Sequence, residues 1–260
     1  MSFGHGPAMA SQIYRICPRA QLYVLKLDDH LYDGQRRITA LSAAQAIRKA
    51  VAKKVHIISM SWTIPKPKDS TTKDILRAAI SEAVRENILM FCSASDGGPV
   101  EDESFPWAAA KGNIFRIGAA TDKGMASPIV GDPTDLGFTF PGTDVERKDM
   151  DKKVEYQTGS SVATALATGL AALVLYCVQV KLLRTEDRHK GRVRQSFKRI
   201  KEYDGMLKVF QDNIGTTQES NHKYLKVWII FKKYVDNMSV TTDEMIDQIA
   251  NLGDELCRNI

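Results

Sequence analysis

Cysteine is scarce in this sequence and never paired. Cys17, Cys92, Cys177 and Cys257 are its four cysteines, far apart, with no CxxC pair and no metal-type spacing. That excludes a disulfide-stapled scaffold and a zinc-finger-like site. Cys92 and Cys177 fall inside apolar runs, where a free thiol behaves as a small hydrophobe, so the set reads as reduced and intracellular. Internal repeats and low-complexity tracts are also missing. Charge of one sign is not dominant either. Lys plus Arg number 36 against 31 Asp plus Glu, and a net charge of +5 argues neither for nor against an acidic partner. The first residues, Met-Ser-Phe-Gly-His-Gly-Pro, have no basic region followed by an apolar one, so no secretory signal is visible and a cytoplasmic location is expected. Long uncharged apolar runs are limited to Val162–Val180. It is about long enough to span a bilayer, but it is rich in Ala, Thr and Gly rather than Leu and Ile. A tightly packed central helix is the expectation, with no membrane contact.

The length of 260 residues allows one large or two ordinary domains, and 43% hydrophobic with 26% charged residues is a soluble globular composition. The first half alternates strand-like runs with helical patterns, which predicts a mostly parallel sheet with crossover helices, a doubly wound α/β fold. Strands are expected at Gln21–Leu27 (QLYVLKL), Val55–Ser61 (VHIISMS), Ile88–Ala94 (ILMFCSA) and Ile114–Ala120 (IFRIGAA). Helices are expected at 39–52 and 71–86, where apolar residues recur at helical spacing. Residues 121–158 are rich in Gly, Pro and Asp turn signals and read as loops with short strands. A helix follows from 161 to about 180.

The character changes near 185. Between 181 and 201 lie Lys181, Arg184, Arg188, Lys190, Arg192, Arg194, Lys198, Arg199 and Lys201 against Glu186 and Asp187. Beneath them runs an apolar stripe of Val193, Phe197, Ile200, Leu207 and Phe210. A solvated face of an amphipathic helix explains the charge better than a nucleic-acid surface does. Further helices are expected from His222 to Val235 and from Thr241, whose spacing to Glu244 fits a capping box. The expected division is therefore a domain at 1–184 and a helical appendage at 185–260 packed on it.

Chemistry concentrates in Gly159-Ser160-Ser161-Val162-Ala163-Thr164-Ala165-Leu166-Ala167-Thr168-Gly169. Serines behind a glycine, opening a small-residue apolar run, place a hydroxyl at the N-terminus of a buried helix. There the unpaired backbone N–H groups and the positive end of the helix dipole can hold a developing oxyanion. A serine N-cap on an ordinary core helix accounts for the stretch equally well when it is taken alone. His5-Gly6 near the N-terminus shifts the balance toward a nucleophile.

These blocks resemble the subtilisin-like serine proteases, over roughly residues 3 to 180. His5-Gly6-Pro7-Ala8-Met9-Ala10 is similar to the family's His-Gly-Thr-His-Val-Ala, with Ala8 in place of the second His. Met60-Ser61-Trp62 and Ser93-Ala94-Ser95-Asp96-Gly97 resemble the substrate-pocket strand and the oxyanion loop. Gly159 to Gly169 resembles Gly-Thr-Ser-Met-Ala-Ser-Pro-His-Val-Ala-Gly, with both end glycines in register. The intervening sequence looks like a fungal intracellular branch.

The resemblance implies a subtilisin-like three-layer fold and a serine endopeptidase acting on peptide or protein substrates. Ser161 is then the nucleophile and His5 its general base. The Ser161 N–H and the side chain of Asp96 are the implied oxyanion groups. Most of the family has Asn at the latter position, although a branch of its processing proteases has Asp. A carboxylate accepts and does not donate, and the bland role of Asp96 is in an Asp-Gly-Gly turn. An extended substrate would add to Ser61, Trp62 and Thr63 on one side and to Ser93, Ala94 and Ser95 on the other. Trp62 either narrows this cleft or packs in the core.

The family's third catalytic residue is an Asp on a central strand upstream of the His block. Nothing here matches it; Asp28 and Asp29 follow a later strand and lack its motif. Loss of that carboxylate costs about 3 × 10⁴ in turnover in a subtilisin, and loss of its strand leaves unpaired backbone within the core. A chain clipped at its N-terminus is one expectation, with further domains elsewhere in a longer protein. A non-cleaving, peptide-binding pseudoprotease is the alternative. No cofactor is expected. The family often carries Ca²⁺ in its loops, but no Asp-rich loop fits, and Asp132 and Asp135 read as turn residues.

Overall fold

The structure is a computed structural model that describes residues 4–32, 35–98, 103–131, 136–148, 154–217, 223–236 and 241–260. Asp132, Asp135 and the expected helix start at His222 lie outside the described residues.

Four expected strands become three. β3 (Ile57–Met60), β4 (Leu89–Ser93) and β5 (Phe115–Ala120) pair in parallel, and β6 (Phe138–Pro141) continues the parallel set. Two earlier strands, β1 (Asp29–Tyr32) and β2 (Gln35–Ile38), form a separate antiparallel hairpin. The QLYVLKL segment is extended but is in no ladder, and Tyr23, Val24 and Leu25 are exposed. Its apolar, aromatic and β-branched run is strand-like, yet a strand exists only when a neighbour takes its N–H and C=O groups. No strand lies beside it among the described residues, and β3 is likewise an outer strand of its sheet.

Both faces of the sheet are covered, which explains the unbroken apolar runs. In β4, Met90 and Cys92 pack toward α2 (Ala40–Ala52) and α3 (Ser70–Arg85). Leu89 and Phe91 point the other way, onto α4 (Ser160–Arg184), along with Phe115, Ile117, Phe138 and Phe140. Thr39 and Asp69 start α2 and α3, each side chain accepting a backbone N–H three residues on, as N-caps do. The result is the three-layer α/β arrangement expected.

α4 is long and apolar enough to cross a membrane, and 72% of its most apolar window is buried inside the protein. It lies between the sheet, α1 (His5–Ile16) and α8 (Thr242–Leu256). The small residues explain how three neighbours fit around one helix. At Gly169, an added Cβ would stand 2.8 Å from the Cβ of Ile16 and 3.2 Å from the carbonyl of Ile13. Only the residue without a side chain lets the two helices come this close.

The C-terminal part differs from the reading as helices alone. The basic segment is α5 (Asp187–Arg199), with no fully buried residue. Several of its charges and those flanking it pair with acids, as in Arg184–Asp247, Arg188–Glu186 and Lys190–Asp187. The stripe beneath it continues through α6 (Tyr203–Lys208) and a π-helical turn at Val209–Gly215, where Ile200 and Phe210 are buried. β9 (Thr216–Thr217) and β10 (Tyr224–Leu225) then join the sheet beside β6, and α7 (Val227–Val235) and α8 follow. Two-residue strands have no periodicity to read. At the head of α8, the Thr241 hydroxyl donates to the Glu244 carboxylate; the side-chain-to-backbone bond of a capping box is not formed by Thr241.

Candidate active site

Two helix N-termini meet at one end of the sheet. α1 packs along α4 through Ala8, Met9 and Ile13 against Val162 and Ala165, while Ile13 and Ile16 lie on Gly169. Early residues meet early residues and late meet late, so the helices run in the same direction. His5 is the first residue of α1 and Ser161 is in the first turn of α4, so both lie at the same end of the pair. A hairpin of β7 (Val145–Lys148) and β8 (Val154–Gln157) leads into α4 and packs on α1, where Gln12 and Arg15 donate to the Glu146 carbonyl.

The two serines differ sharply. Ser160 is fully buried. Its hydroxyl donates to Asp96 Oδ1 at 2.6 Å and its N–H to Asp96 Oδ2 at 2.9 Å. The same hydroxyl accepts the Ala119 N–H of β5 at 3.1 Å, and the Ser160 carbonyl accepts from Thr164 Oγ1. Ser161 is half-buried. Its hydroxyl donates to the Ser61 carbonyl at 3.1 Å, and the Ser61 hydroxyl donates to the Ser161 carbonyl at 3.1 Å. Its backbone N–H meets no acceptor among the described residues. A free N–H in the first helical turn, next to a hydroxyl, can stabilise the negative charge that develops on the oxygen of a carbonyl whose carbon is attacked there.

His5 makes no hydrogen bond among the described residues, and its ring remains open to solvent. Partial desolvation lowers its pKa below the ordinary imidazole value of 6.5, because the charged form loses water contact. The base form is therefore kept to lower pH than in a free histidine.

The cleft residues are brought together unevenly. Ser61, Trp62 and Thr63 follow β3 and are half-buried, and Trp62 packs partly on the Met60–Leu76 core, favouring its packing role. Ile64 exchanges two backbone hydrogen bonds with Phe105, at 2.9 Å each, so extended pairing along this edge stops at Thr63. On the other side Ser93 and Ala94 are buried in the sheet, with the Ala94 N–H given to the Ile117 carbonyl. Ser95 is half-buried, and its carbonyl accepts from Gly131. Sequence reading did not anticipate the Ser61–Ser161 exchange or the Asp96–Ser160 pair. The adjacency of the serines was the available signal.

None of the four cysteines forms a disulfide. Burial pushes the thiols of Cys177 and Cys257 up to about 12, which makes them inert packing residues. Among the described residues no cluster of His, Cys, Asp or Glu has the form of a metal site.

A sequence model of the subtilase family matches residues 3–193. This chain is a subtilase. It is 33% identical over 200 residues to the subtilisin-like protease het-Q2 of Podospora anserina, covering 73% of this chain and 53% of that one. It is 26% identical over 183 residues to the major intracellular serine protease of Bacillus subtilis (strain 168), covering 66% and 54%. The intracellular serine protease of Paenibacillus polymyxa is 26% identical over 182 residues, covering 66% and 53%. The subtilase chain thus spans about half the length of these relatives. Its fold is like that of a lanthipeptide protease, with a TM-score of 0.63 at 18% identity over 88% of this chain and 75% of that one. It is also like a cold-adapted subtilisin-like serine proteinase, with a TM-score of 0.54 at 13% identity over 75% and 64%.

Proposed function

We propose that this subtilase chain is a serine endopeptidase domain, with Ser161 as nucleophile and His5 as general base. The supporting observation is the parallel packing of α1 on α4, with His5 and Ser161 in the first turns at the same end of the pair. For attack, the Ser161 hydroxyl leaves the Ser61 carbonyl and turns its proton to the imidazole. The oxygen then adds to a peptide carbonyl, and the Ser161 N–H takes the developing charge. The imidazolium returns its proton to the leaving amine. A peptide strand along Ser61–Thr63 offers the Ser61 carbonyl an N–H donor in place of the Ser161 hydroxyl, so binding and release of the nucleophile go together. Substrates are peptides or proteins, and the proposed setting is the cytoplasm, in keeping with two relatives that are named intracellular serine proteases.

Two observations favour the second reading, a peptide-binding domain that does not cleave. The Ser161 proton rests on a carbonyl, and no carboxylate among the described residues orients His5. A fluorophosphonate probe separates the readings. Labelling of the parent that disappears in Ser161→Ala supports the endopeptidase. Equal labelling of Ser161→Ala and parent overturns it, and peptide binding without labelling supports the second reading.

A further inference from the structure

We propose that Asp96 is a positioning residue, not an oxyanion donor: through Ser160 it fixes the first turn of α4 and thereby the Ser161 N–H and hydroxyl. This deepens the assignment of Ser161 as nucleophile and rests on it.

Three observations converge. First, both carboxylate oxygens are already accepting, one from the Ser160 hydroxyl and one from the Ser160 N–H. A carboxylate in that arrangement has no proton to offer a substrate oxygen. Second, Ser160 is buried and its hydroxyl also accepts from Ala119 on β5. The chain Ala119 N–H to Ser160 Oγ–H to Asp96 therefore ties the sheet, the helix and the 94–98 loop to one atom. Third, the backbone is shaped for this contact. Gly159 has φ of 143°, and an added Cβ there would stand 3.1 Å from Asp96 Oδ2. A residue 64 positions away in sequence thus caps α4, and a negative group at that helix end is electrostatically favoured. The cap takes the Ser160 N–H, while the adjacent Ser161 N–H has no acceptor among the described residues.

The experiment compares the parent with Asp96→Ala, Ser160→Ala, their double variant and Ser160→Thr. It follows the fluorophosphonate labelling rate, the thermal midpoint and the Ser160 amide proton resonance. Charge-assisted bonds of this kind predict a roughly 10- to 100-fold slower labelling in each single alanine variant. The double variant should be no slower than Asp96→Ala, which already removes both bonds from Ser160 to the carboxylate. Ser160→Thr, which keeps the hydroxyl, should restore most of the rate. In Asp96→Ala the Ser160 amide proton should move upfield as its carboxylate acceptor is lost. Labelling of Asp96→Ala at the parent rate, or fully additive slowing in the double variant, overturns the proposal. If the parent labels nowhere, the nucleophile assignment fails by itself. The cap then stands if the Ser160 amide proton shifts and the two substitutions are non-additive in thermal midpoint, and it falls if they do neither.

Discussion

On the flank of α4 that faces β4 and β5, every polar atom of Ser160 is bonded and the side chain is sealed from water. On the flank that faces α1 and β3, His5 is open to solvent, Ser161 is half-buried and its hydroxyl rests on a backbone carbonyl. The strands repeat the contrast. β4 and β5 are buried along their whole lengths, whereas Ile57, Ile58 and Ser59 of β3 are only half-buried and the extended run 21–28 leaves Tyr23 and Val24 exposed. One flank is a finished core holding the helix end still. The other carries the groups proposed to react, and reactive groups need access.

The largest expected break in this contrast comes from the sealed flank. Phe115 is fully buried and stacked on Phe91 with ring centroids 4.8 Å apart, so Phe115→Ala should cost about 3–5 kcal/mol in denaturant unfolding. Tyr23→Ala on the open flank should stay within about 0.5 kcal/mol. Equal losses at the two positions would erase the distinction. Next in size is Gly159→Ala, which forces a side chain into a left-handed φ and against Asp96. It should cost about 1–3 kcal/mol and slow probe labelling together.

The smallest effect is the pH response. His5 and His56 both have pKa values lowered from 6.5, His5 by desolvation and His56 by desolvation and then the nearby charge of Lys201. As pH falls through 6.5 the unfolded chain takes up protons that the folded chain resists, so stability decreases. The loss ends once the folded-state values are passed. Melting midpoints should fall modestly between pH 7.5 and 5.5, and less in His56→Gln. The labelling rate should show its inflection below 6.5, where His5 loses its base form.

The buried strands could be read because covering both faces of a parallel sheet demands unbroken apolar runs such as ILMFCSA. The amphipathic helices α2 and α3 could be read from their spacing, and α4 from its small residues. QLYVLKL was misread for a physical reason: an apolar run is a local signal, but a ladder depends on a neighbour elsewhere in the chain. β9 and β10 were invisible because two residues carry no pattern. At the site, Ser161 and His5 stood out as candidates by residue type and context. The direction in which Asp96 turns did not, because composition gives a carboxylate's chemistry and not its partner.

The glycine at 169 has a consequence for alignment. With backbone touching side chain there, α1 can neither slide along α4 nor roll on it without driving Ile16 into the neighbouring helix. The helices are keyed at a point more than two turns from His5 and Ser161, so a bulkier residue at that remote notch should displace the start of α1 relative to the start of α4 while leaving both side chains chemically intact.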